Sequence, residues 1–216
     1  MTDQVNRLYR CMPPELQMGR PPCCPGKTCG ATACTDNAVC EVVREERGRR
    51  ITPSMVRNAT GRPVCNGLRP ADTLRALLHF GVRGYTYKSN PSAADVLAHT
   101  HKGVVIIGVG YRQYPHRRGI TGPGGIAELG GKTDIRFTGA NAVTVWGSRK
   151  WTTKPANWTP KDLAFTPGTR VWCRDPDHHV GTTLAYDRIS IGQLAAAMTA
   201  LRTETNWSAS FAIWRP

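Results

Sequence analysis

No apolar run in this 216-residue chain approaches the roughly 20 residues that a membrane-spanning helix needs. The best candidate, Gly103 to Gly110, is strand-sized, so no membrane partner is expected. Acidic residues are scarce: 15 Asp and Glu stand against 29 Lys and Arg, a formal net charge of +14. That imbalance favours a polyanionic neighbour, whether nucleic acid, cell-wall polymer or an acidic protein surface, over a basic one. The basic residues are densest at Arg44 to Arg50 and Tyr111 to Arg118, with no nucleic-acid-binding signature around them. Met1 to Arg10 lacks the apolar core of a signal peptide, which predicts a chain made and kept in the cytosol or assembled from there into something larger. There is no internal repeat, and no G-x-x-x-x-G-K-[ST] run that would cradle a phosphate. With 40% hydrophobic and 20% charged residues, the chain can bury the core of one sizeable domain.

Cysteine is present but not in a framework. Eight cysteines without a leader argue against a secreted disulfide scaffold. Cys24, Cys29, Cys34 and Cys40 lack the paired C-x-x-C spacing of a zinc site, although three of them with Cys11 or a histidine could still assemble one. Free thiols at Cys11, Cys23, Cys24 and Cys29, or a disulfide formed after assembly, remain the alternatives, and no cofactor is indicated. Prolines at positions 13, 14, 21, 22 and 25 deny residues 1–33 a sustained period, so this stretch reads as an extended Pro/Cys-rich arm and residues 34–216 as the folded domain.

Helical periodicity begins right after Cys34. Thr35 or Asp36 can cap, Ala38, Val39, Val42 and Val43 form the stripe, Glu41, Arg44, Glu45, Glu46 and Arg47 face water, and Gly48 stops the helix. Cys34 therefore stands where unpaired N–H groups and the helix dipole favour a thiolate. A second helix follows Thr52 and Pro53. A third covers Pro70 to Phe80, with Leu74, Leu77 and Leu78 inward. Val82 to Lys88 reads as a strand, and Ser89 to His101 as a helix ending in solvated His99 and His101.

Gly103 to Tyr111 is a continuous apolar strand, hence central and covered on both faces. After a long glycine-rich loop, Asn141 to Trp146 and Arg170 to Arg174 follow as further central strands, then a helix over Ser190 to Leu201, with Phe211 to Trp214 as an edge strand.

The segment Gly139-Ala140-Asn141-Ala142-Val143 carries one polar side chain at the mouth of a buried strand. Together with Cys34-Thr35 opening a helix, Arg57-Asn58-Ala59-Thr60-Gly61 and Arg174-Asp175-Pro176, it resembles papain-like cysteine peptidases of the bacteriocin-processing type. The pattern is more similar still to the cysteine-peptidase-like virion proteins of actinobacteriophages. The resemblance covers roughly Cys34 to Leu201. It implies an α+β, papain-like fold with amino-terminal helices packed on an antiparallel sheet. It places Cys34 at the nucleophile, Asn141 at the general base and Asp175 at the group orienting the base. It also implies a virion location after synthesis in a host cytoplasm, with other virion proteins, capsid or tail subunits, as partners in a multicopy assembly.

Two departures follow. The base position holds an amide, and no Gln or Asn lies in residues 26–33 to supply an oxyanion donor. The sequence thus reads as a catalytically degenerate pseudoenzyme and structural protein. Rival readings are an active peptidase or peptidoglycan hydrolase, with His178 or His179 standing in as base, and a basic nucleic-acid or cell-wall binding module.

Overall fold

Local signals set the helix starts. The Thr52 hydroxyl accepts the Met55 N–H ahead of Pro53, and Gly61, in the left-handed region at φ 66°, closes the same helix. Ser92 and Asp95 form a reciprocal capping box, each side chain accepting the other's N–H. The computed structural model describes residues 34–62, 67–110, 140–146, 169–174, 187–204 and 210–216. Among these the elements run α1 (Cys34–Arg47), α2 (Pro53–Thr60), α3 (Pro70–His79), β1 (Thr86–Ser89), α4 (Ala93–His99), β2 (Val105–Gly110), β3 (Ala140–Trp146), β4 (Arg170–Arg174), β5 (Asp187–Ser190), α5 (Ile191–Glu204) and β6 (Phe211–Trp214).

The strands make one six-stranded sheet in the order β1-β6-β2-β3-β4-β5, and every neighbouring pair is antiparallel. Alternation splits the apolar residues into two buried layers. On one face Ile106, Ala142, Phe211 and Ile213 pack with the apolar residues of α1, α2 and α3. On the other, Val105, Ile107, Val109, Val143, Val145 and Val171 pack with α4 and α5. The α+β class and the amino-terminal helices on an antiparallel sheet are as the sequence implies.

Several local expectations are corrected. Phe211–Trp214 is an interior strand between β1 and β2, and the edges are β1 and β5. The reason is burial: all four residues of β6 are buried, whereas all four of β1 are exposed, so only the former can sit between neighbours. β1 is also shorter than the strand expected from Val82, and β5 has no counterpart in the sequence reading. In α3 the buried residues are Asp72, Thr73, Ala76 and Leu77, with Phe80 buried just past its end. Leu78 lies one step round the helix and is 60% exposed. His101 is exposed as expected, while His99 is only half-exposed: its ring stacks on Trp214 at 4.1 Å between centroids, and its Nδ1 lies 2.8 Å from the Asp95 carbonyl. The arm over residues 1–33 and the loop after Tyr111 lie outside the described residues.

Candidate functional site

Cys34 occupies the first turn of α1 and is buried, 7% exposed, in the cluster that includes Ala38 and Ala142. Its sulfur lies 3.8 Å from the Thr35 hydroxyl. Because the helix already begins at Cys34, Thr35 and Asp36 are not caps facing solvent. Both fall inside the first turn and are buried.

Helix α1 packs across β3, and a polar tie fixes the crossing. The Thr144 hydroxyl donates to Glu41 Oε2, and the Trp146 indole N–H donates to the Thr144 hydroxyl at 3.1 Å. Glu41, expected in water, is therefore buried against the sheet. Three residues before Thr144, Asn141 takes the register place opposite Val109, on the strand whose Val143 and Val145 form one row. The alternate row, with Ala142 and Thr144, is the one that shares a layer with Cys34 and Glu41. The structure thus brings the elements of Cys34 and Asn141 together. Asp175, His178 and His179 lie outside the described residues. So do Cys11, Cys23, Cys24 and Cys29. Among the described residues no group of histidine, cysteine or carboxylate side chains is placed to hold a metal ion.

Sequence spacing missed a buried ion pair. Asp36, fully buried in the first turn of α1, pairs through Oδ2 with the Arg57 guanidinium of α2, itself 7% exposed, across a separation of 21 residues. The Asp36 Oδ1 is buried with no hydrogen-bond partner. The only sequence signal was an acidic residue in a predicted first turn and an arginine on the short helix that follows. Burial pushes the Asp36 carboxyl up from 3.8 to about 7 against the opposing pull of Arg57.

That displacement sets a pH dependence. Between about pH 4 and 7 the folded chain holds a proton on Asp36 that the unfolded chain releases, so stability falls as pH rises through this window. Its contribution is fully present below the unfolded value of 3.8 and lost above about 7. Thermal melts of the wild type across this range should slope downward, and Asp36→Asn should remove the slope. An unchanged slope in that variant would assign it to other groups.

Elsewhere, burial and the adjacent Glu46 carboxylate raise the Tyr85 hydroxyl far above its ordinary value, and it donates to Glu46 Oε1 at 3.1 Å. Tyr85 therefore acts only as a neutral donor.

No protein-family model and no curated protein matches the chain. Among solved structures it is similar to the peptidase domain of Streptococcus ComA, a bi-functional ABC transporter involved in a quorum-sensing pathway. The two share 12% identity at a TM-score of 0.45, over 85% of this chain and 90% of that one.

Proposed function

We propose that this chain is a structural component of a tailed-phage virion, in capsid or tail, built on a cysteine-peptidase-like domain that has lost its chemistry. One observation carries the loss. The strand that crosses the cysteine-bearing helix, Ala140 to Trp146, has no titratable side chain in either row. Whichever row meets the thiol, the strand offers amide, hydroxyl, indole and hydrocarbon, none of which takes a proton from a thiol near neutral pH and returns it to a leaving group. Loss of the base in the serine-peptidase template costs roughly 10^6-fold in turnover, enough to end a biological activity.

What the domain retains is shape. Glu41 and Asp36 lie on the buried side of α1, where they tie it to β3 and α2. A scaffold of this kind serves by presenting surfaces to copies of itself and to neighbouring subunits, with its basic balance available to polyanions.

The purified protein is expected to cleave neither peptides nor peptidoglycan fragments, and Cys34→Ala is expected to enter particles in the same copy number as the wild type. Cleavage that Cys34→Ala abolishes would overturn the loss of chemistry. Absence of the chain from purified particles would remove the virion assignment. The rival, an active cysteine peptidase or peptidoglycan hydrolase of the tail or lysis machinery, is favoured by the first-turn position of Cys34. Alkylation of Cys34 at neutral pH in preference to the buried Cys40 and Cys173 would support that rival.

A further inference from the structure

The carboxyl end of α1, the carboxyl end of α3 and the turn into β1 meet in one place, and the side chains that join them are mostly arginines. The Arg47 guanidinium donates to the Gly81 carbonyl. The Arg49 guanidinium lies 5.8 Å above the Phe80 ring centre. From the far end of the chain, Arg215 lies 5.6 Å over the Tyr85 ring, donates to Glu46 Oε2 at 2.8 Å and reaches the Arg83 carbonyl at 3.5 Å. Arg50 follows Arg49 directly in the chain and Arg83 supplies the carbonyl that Arg215 reaches; both are exposed, as are Arg47 and Arg49. Glu46 pairs with Arg215 and Glu45 is exposed, so the five arginines at positions 47, 49, 50, 83 and 215 exceed the two carboxylates by three charges.

We propose that this arginine surface docks the phosphate backbone of a nucleic acid without reading its sequence. Two features separate that partner from an acidic protein or a stacked base. A protein interface draws its affinity from apolar anchors that become fully desolvated. Here the aromatic faces are already covered, Phe80 by Arg49 and Tyr85 by Arg215, and cannot receive an anchor or a base. Phosphates need only cations at the right spacing, and guanidiniums held by carbonyls and rings supply them with little entropy left to lose. The surface is remote in kind from the Cys34 site, so its fate does not depend on the peptidase question.

The test uses the full chain and a fluorescent random-sequence DNA duplex, with affinity measured as a function of salt. Arg49→Gln with Arg50→Gln should weaken binding by at least about tenfold near physiological salt and lower the slope of log affinity against log salt by about 2. A control carrying Arg75→Gln and Arg202→Gln, with the same net charge but altered elsewhere, should keep most of the affinity. Equal losses in both variants would show diffuse attraction and overturn the proposal, as would absence of duplex binding by the wild type. Tighter binding of poly-glutamate than of the duplex, lost in the same Arg49/Arg50 variant, would assign the surface to an acidic protein and also overturn it.

Discussion

Above about pH 7, where the Asp36 carboxyl is ionised, Asp36→Leu is expected to destabilise the protein by about 3–5 kcal/mol, the penalty for stripping a buried charge of its counterion. For a chain of this size that corresponds to a fall in melting temperature on the order of 10 °C. The residue left behind is the Arg57 guanidinium, which is buried. The reciprocal change should be milder. In Arg57→Met the Asp36 carboxyl, already displaced by burial toward its neutral form, takes up a proton and avoids leaving a charge in the core. Combining Asp36→Leu with Arg57→Met should recover most of the loss, because both polar partners leave together. Denaturant titration of the three variants measures the ordering. If Arg57→Met costs as much as Asp36→Leu, the carboxyl is not poised as described.

The second large effect belongs to two glycines in the central strand. Gly108 and Gly110 adopt ordinary extended backbone, so alanine would be strain-free there if space allowed. Space does not allow it. A Cβ on residue 108 would be driven into the Phe211 ring and would lie 3.0 Å from Leu201 Cδ2, while one on residue 110 would lie 2.8 Å from the backbone carbonyl carbon of Ala200. Overpacking of this kind typically costs about 1–3 kcal/mol, and backbone yields less than a side chain. Gly110→Ala should therefore reach the upper end and separate α5 from β2. Gly108→Ala should be partly relieved by Phe211→Leu, where the obstacle is a ring that can be replaced. Melting temperatures of the single and double variants decide this, and additive losses at 108 and 211 would rule out the packing explanation.

These two sites also show where a sequence can be read and where it cannot. The presence of α1 just past Cys34, though not its first residue, the Thr52 cap with Pro53 behind it, and the buried character of β2 and β3 were all legible. Each rests on a residue's own preference or on periodicity within a few positions. The apolar run of β6 was legible too, yet its place inside the sheet was not, since pairing of Ile213 with Ile106 and of Trp214 with Thr86 joins distant parts of the chain. Glu41 looked like a surface residue by helical phase. A threonine on β3, 103 residues away, donates to it in the buried layer.

The chain's order of residues alone decided its basic balance, the helix opening on a thiol and the untitratable chemistry of the strand that crosses it, because composition and short-range spacing need no fold to be read. Folding alone decided that Asp36 meets Arg57, that Arg215 returns to Glu46 across 169 residues, and which row of β3 shares a layer with Cys34. Those are outcomes of long-range packing. The burial of a charge, and hence its proton affinity, is a property of the neighbours that the sheet and helices bring to it.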